Sequence, residues 1–181
     1  SNHNQPIAPN LLQQDFTTHR PNRVWLSDIS YSATGQGWLY LCIVMDLFAR
    51  KIIGWSMQST LGQALVLQAF DMACHRTHPE PGVLFHSDRG SQYASHAFRR
   101  ALRGKGFIQS MSDQGNCYDN AVAESFFHSL KTEEVYFHHY ATRAQARASI
   151  FDYIEIFYNR IRRHSSLGYL SPEAFERKWV A

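Results

Sequence analysis

Three acidic residues sit where side chains could do chemistry together. Asp28 lies in Val24-Trp-Leu-Ser-Asp28-Ile-Ser30, and Asp88 in His86-Ser-Asp88-Arg-Gly-Ser-Gln-Tyr93. Glu124 lies in Asp119-Asn-Ala-Val-Ala-Glu124-Ser-Phe-Phe127, with 35 residues between it and Asp88. Each carboxylate borders or interrupts an apolar run, where a charge is costly unless something binds it. Oxygen donors from separate elements are what a hard divalent cation such as Mg²⁺ requires. A pair of such ions can activate an attacking oxygen and steady a leaving one in phosphoryl transfer.

Each acid also has a plainer reading. Asp28 could face water from an edge strand. Asp88 could form an Asx turn into Arg89-Gly90. Glu124 could be a solvated helix glutamate. On a helix, Glu124, His128 and Lys131 share one face, which Asn120 extends by a turn, and that arrangement suits a phosphodiester lying across it. An ordinary mixed-charge surface is the alternative.

The elements that must position these residues follow from pattern. Val24–Ala33, Gly37–Phe48 and Lys51–Gln58 read as strands, with Thr34-Gly-Gln-Gly37 as a hairpin turn and a second turn near Ala49-Arg50. They form an antiparallel meander. Thr60 with Gln63 reads as a capping box for a helix carrying Leu61, Leu65, Ala69 and Met72, ended by Pro79–Gly82. Val83–His86 is a short buried strand leading into Asp88, at the carboxyl end where open α/β sheets place their sites. Ser95 caps a helix over 96–103, closed by Gly104, and Phe107–Met111 is a fifth strand.

After a polar loop over Ser112–Asp119, Asp119 or Asn120 caps the helix that carries Glu124. A capping box of Thr142 with Gln145 opens a long helix whose stripe of Ile150, Ile154, Phe157 and Ile161 reads as core. Ser171-Pro172-Glu173 starts a terminal helix, with proline at its favoured first position. Residues 1–22 are read as a lead-in arm with a tag remnant at 1–2, residues 23–165 as the core, and 166–181 as a short helix and tail.

Composition bounds the class. Apolar content of 44% and aromatic content of 14% are globular values. No apolar run approaches a membrane span, and no secretory signal opens the chain. Cys42, Cys74 and Cys117 are too widely spaced for a CxxC zinc site or a disulfide framework, so a reducing cytoplasm is expected. Net charge is +3, with the basic excess in the second half, where Arg160, Arg162, Arg163 and His164 cluster. That balance is compatible with a polyanionic partner.

Trp25-x-x-Asp28-Ile29, His86-Ser-Asp88-Arg-Gly-Ser-Gln-Tyr93, Gly115-Asn-Cys-x-Asp-Asn120, Glu124-Ser-Phe-Phe-x-x-Leu-Lys131 and Tyr158-Asn-x-x-Arg-x-His-Ser165 carry a family resemblance. From about residue 22 to 175, the chain resembles the catalytic core of bacterial insertion-sequence transposases of the retroviral-integrase type, more narrowly the third insertion-sequence family. The resemblance implies an α/β, ribonuclease-H-like fold. Its five-stranded mixed sheet has the first three strands antiparallel and helices on both faces.

By the same resemblance, Asp28, Asp88 and Glu124 are a catalytic, metal-binding DDE triad using Mg²⁺, two ions, with Mn²⁺ as a substitute. Lys131 is expected to contact the DNA end. Asn116 and Asn120 lie on or beside a loop at the lip of the site, and Ser91 and Gln92 lie where related enzymes approach DNA. Arg160, Arg162, Arg163 and His164 are phosphate-binding candidates, or charges that stabilise a helix C-terminus.

The expected partners are DNA (element ends and target), further copies of the chain on that DNA, and a preceding helix-turn-helix region. A ribonuclease H, or a decayed DNA-binding and assembly module, are the alternatives. The first should bring a glutamate from the first helix, where only Asp71 stands.

Overall fold

The computed structural model describes residues 4–113 and 120–180. Strands β1 (Val24–Thr34), β2 (Gly37–Asp46) and β3 (Lys51–Gln58) form the expected meander. Helix α1 (Gln63–Thr77) leads to β4 (Leu84–Ser87). A short α2 (Ser91–Ala94) and α3 (His96–Gly104) precede β5 (Ile108–Met111). Then follow α4 (Ala121–Glu133), α5 (Arg143–Asp152), which continues into a π-helical segment Tyr153–Ile161, and α6 (Pro172–Val180).

The sheet order is β3-β2-β1-β4-β5, with β1–β2 and β2–β3 antiparallel and β1–β4 and β4–β5 parallel. Both faces are covered. Leu26, Leu39, Leu41 and Ile43 pack with Phe126, Leu130, Ile150 and Ile154 of the α4–α5 layer. Trp25, Cys42, Val44 and Phe85 pack with Phe70, Phe98 and Leu102 of the α1–α3 layer. Double coverage explains why β2 reads as a nearly continuous apolar run and not an alternating one.

Local chemistry sets many of the boundaries. The β1–β2 turn closes with Thr34 opposite Gly37, which takes φ +100°, a conformation glycine adopts without steric cost. Ser95 Oγ accepts the Phe98 N–H, and the Thr142/Gln145 capping box is formed in both directions. Gly54 of β3 lies so close to α1 that a Cβ there would collide with the Ala69 carbonyl oxygen. The tail is tied down by Phe48, whose ring meets those of Phe175 and Trp179.

Several expectations are corrected. Thr60 does not cap α1, because the helix starts at Gln63 with Gly62 at the cap and no side-chain bond, leaving Leu61 exposed. Helix α2 was not foreseen. Asn120 holds the cap position of α4 but makes no side-chain capping bond, and Asp119 lies outside the described residues. The stripe on the long helix is core only through Ile150 and Ile154, since Phe157 and Ile161 are exposed. The wider i→i+5 turns of the π-helical segment rotate those later residues off the buried face.

Candidate active site

Strand β1 is the middle strand of five, so Asp28 is not on an edge. β4 pairs with β1 over Val24–Leu26 only, with Leu26 opposite His86. Continued by two residues, that parallel register sets Asp28 beside Asp88, the first residue past β4. Strand side chains alternate between faces, so Asp28 points the same way as Leu26, whose core is shared with α4. Helix α4 packs on β1 and carries Glu124 in its first turn. Three acids from a central strand, a strand end and a helix therefore converge where β1 runs on beyond its parallel neighbour, a topological switch point.

Their electrostatics agree with that placement. Asp28 is half-buried, Asp88 and Glu124 are exposed. Burial pushes the Asp28 carboxyl up to about 7; the negative charges of Asp88 and Glu124 push the same way, while the Ile29 N–H and Lys131 oppose them. A carboxyl raised chiefly by burial, with two neighbouring carboxylates adding to the effect, is one that a cation would return to its ionised form. Among the described residues none of the three acids is in an ion pair. Nor, among those residues, is any group of three His, Cys, Asp or Glu side chains drawn together tightly enough to hold a metal as it stands.

Two of the acids are held by local hydrogen bonds. Asp28 Oδ1 accepts the Ile29 N–H at 2.8 Å, and Asp88 Oδ1 accepts the Gly90 N–H at 2.8 Å. The Asx turn at Asp88 is thus real, and it holds the carboxylate at the strand end through Oδ1. The donor set of hard oxygens fits Mg²⁺.

Beneath the acids lies a buried polar seam that sequence reasoning missed. Ser27 Oγ donates to the Ile43 carbonyl at 2.8 Å and lies 2.8 Å from the Tyr93 hydroxyl, with Cys42 Sγ alongside. Burial pushes the Cys42 thiol up to about 12 and raises Tyr93 well above the ordinary tyrosine value, so both stay protonated. His86 bridges β4 to the strand beside it, with Nδ1 2.8 Å from Ser110 Oγ and Nε2 3.2 Å from Ser112 Oγ. Tyr93 and His86 are the two ends of the Asp88 motif, and that spacing was the available signal.

The other candidates divide. His128 is exposed on the Glu124 face of α4, and Lys131 is half-buried with Nζ 5.5 Å from the Tyr31 ring centroid. Asn120 is buried, and its Oδ1 has no hydrogen-bond partner among the described residues. Ser91 and Gln92 occupy α2 beside Asp88, and Asn116 lies outside the described residues.

Arg162 forks onto Glu133 (Nη2–Oε1 2.6 Å, Nε–Oε2 2.8 Å) and Arg160 faces Glu173 at 3.5 Å. Both of these cations already have partners. Arg163 is exposed. His164 is buried against Tyr158, and burial lowers its imidazole to about 4, so it is neutral near pH 7. Arg163 and His164 line a polar cavity of about 400 Å³ with Arg50, Ser125 and Ser129. Asn159, in the same motif, is structural: its amide donates to the Ile52 carbonyl and accepts the Ile52 N–H.

The family described as Integrase core domain matches residues 18–117, and a second profile of the same description matches 124–179. The chain is 48% identical to the transposase for insertion sequence element IS904 of Lactococcus lactis, over 93% of this chain and 67% of that protein. It is also 48% identical to Transposase InsF for insertion sequence IS3A of Escherichia coli, over 99% of this chain and 62% of that one. The chain thus spans about two thirds or less of these relatives.

Among solved structures, the HTLV-2 integrase catalytic core domain in complex with magnesium aligns with TM-score 0.62 and 13% identity, over 88% of this chain and 99% of that one. A chain of the simian T-cell lymphotropic virus intasome aligns with TM-score 0.74, also at 13% identity, over 97% of this chain and 59% of that one. These two share the fold.

Proposed function

The chain belongs to the integrase core domain family, and on that premise we propose that it is the catalytic domain of a DNA transposase. Its reaction is phosphoryl transfer on DNA. Water attacks a phosphodiester at the element end, forming a P–O bond as the P–O3′ bond breaks; the element strand keeps the freed 3′-hydroxyl and the flanking strand keeps the 5′-phosphate. That hydroxyl then attacks a second phosphodiester, forming one P–O bond as another breaks. The observation that carries this reading is the convergence of Asp28, Asp88 and Glu124, set by the β1–β4 register and by the packing of α4 on β1.

In this proposal the three acids would hold Mg²⁺, in two ions and replaceable by Mn²⁺, which supplies Lewis-acid activation and charge neutralisation when bound. The residues of the chain do the rest. The Asx turn at Asp88 and the Ser27–Tyr93 seam position two of the carboxylates. Lys131 neutralises a phosphate beside Glu124, and His128 extends that basic rim along α4. Ser91, Gln92, Asn116 and Arg163 are DNA-facing candidates of the same reading; Asn120 and the neutral His164 are buried and would act only by positioning their neighbours, and Arg160 and Arg162 are available only if their acid partners release them.

The partners proposed are DNA and further copies of the chain, since two ends must be brought together, and in the whole protein a preceding helix-turn-helix region. A ribonuclease H reading finds less support, because Asp71 is exposed on α1 and its charge acts on Cys74.

The test is joining of labelled, pre-cleaved DNA duplexes in Mg²⁺. Longer joined products that vanish with EDTA are expected. Cleavage of an RNA–DNA hybrid without any DNA joining would overturn the reading.

A further inference from the structure

Three aromatic side chains near the acids have no role in the account so far. Tyr31 pairs with Tyr40 across β1 and β2, and Trp38 pairs with Ala33, so all three rings stand on one face. Tyr31 and Trp38 meet edge to face at 4.9 Å, and Tyr31 and Tyr40 lie 6.3 Å apart. Yet Tyr31 is 54% and Trp38 50% exposed. A packed aromatic pair left half in water is an apolar platform ready for a flat partner.

Its position says what that partner is. Past Leu26, β1 loses its pairing with β4, and the strip borders the resulting gap. Tyr31, Trp38 and Tyr40 line a cavity of about 440 Å³ together with Asp88 and Gln92. On the other side Tyr31 and Trp38 line a second cavity of about 480 Å³ with Lys131 and His138. Lys131 Nζ sits 5.5 Å from the Tyr31 centroid.

By strand alternation the three rings stand on the α1–α3 face, opposite the Asp28 side chain, so the platform lies along the open edge of β1 between Asp88 and Lys131, where a docked protein or a second copy would cover both. The neighbouring groups call for a ligand with a flat apolar body, polar edges and an attached phosphate. A nucleotide has all three.

We propose that the Trp38 ring, braced edge to face by Tyr31, forms a stacking platform for one unpaired base at the reacting DNA end, with Gln92 placed to hydrogen-bond its edge. The inference rests on the DNA-joining reading and deepens it. Stacking holds the terminal nucleotide while Lys131 takes the phosphate, so the strand end is gripped on both sides of the bond that reacts. Every base has a stacking face, so the platform tolerates sequence and selects for an end that can fray.

The test is binding, read by fluorescence anisotropy. It uses three labelled duplexes: one with a mismatched, frayed terminal nucleotide, the same duplex with an abasic terminal nucleotide, and a fully paired blunt duplex. The unmodified chain is expected to bind the frayed end roughly tenfold more tightly than the abasic one. Trp38→Ala should bind both as weakly as the parent binds the abasic end, and Tyr31→Phe, which keeps the ring, should retain the preference.

Equal binding of frayed and abasic ends by the parent protein overturns the inference, and that comparison needs no substitution to fold. A Trp38→Ala variant that keeps the preference overturns it as well. Failure to bind any of the three duplexes would overturn the DNA reading along with it.

Discussion

Replacing Asp28 with asparagine is expected to stabilise the metal-free chain at pH 8 while abolishing its chemistry. The Asp28 carboxyl is raised from 3.8 to about 7 by burial and by Asp88 and Glu124. A rise of about three pH units at about 1.4 kcal/mol each sets a ceiling near 4 kcal/mol on what ionising it costs the fold. The side chain is only half-buried, so screening by water reduces this to about 1–2 kcal/mol.

The native state holds this proton more tightly than the unfolded chain, so stability falls as pH rises from about 4 to about 7 and is level above that. Asparagine keeps an oxygen for the Ile29 N–H and carries no charge. Its advantage should be close to zero at pH 4 and full at pH 8. Asp46, raised by burial to about 6, titrates in the same window but is common to both proteins, so their difference isolates Asp28. Urea unfolding in EDTA at pH 4 and pH 8 measures it. An asparagine variant no more stable than the parent at pH 8, or equally favoured at both pH values, would refute the reasoning.

Other substitutions test the frame around the site. Glu133→Ala should lose about 1 kcal/mol at pH 7 by freeing Arg162. Glu133 is held below its ordinary value chiefly by Arg162, so that contribution is present above the unfolded value and should vanish as pH falls through the lowered one; chemical denaturation at pH 7 and pH 3 checks it. Gly54→Ala should cost about 2–3 kcal/mol, because its methyl would press on the α1 backbone, and the thermal midpoint should drop by several degrees. Tyr93→Phe should cost about 1 kcal/mol by leaving Ser27 with one partner fewer, read by urea unfolding, with the fold kept.

Much of the fold was legible because local rules and tertiary packing agreed. The Thr34–Gly37 turn, the Ser95 cap, the Thr142/Gln145 box and Pro172 at a helix start each stand where their chemistry places them. Thr60 does not cap because a capping pair three residues apart says nothing about where the chain leaves the preceding strand, and here Gly62 holds the cap position of a helix that starts at Gln63. Phe157 and Ile161 failed because an apolar spacing assumes α-helical turns, which the π-helical segment does not keep.

At the site, the acids announced themselves as charges in apolar surroundings. The register that sets Asp28 beside Asp88, and the seam of Ser27, Cys42 and Tyr93 below them, did not. Those depend on pairing between strands distant in sequence. Tyr31 and Trp38 fall inside strands whose pattern gives no sign that both stay half exposed.

The central claim is that Asp28, Asp88 and Glu124 act together in phosphoryl transfer. Its most direct test is strand joining by Glu124→Gln on pre-cleaved, labelled duplexes in Mg²⁺, with folding checked by circular dichroism. Glu124 is exposed, so the substitution leaves the core untouched. The account predicts a folded protein whose joining falls by at least about a thousandfold. Joining retained near the parent level would contradict it.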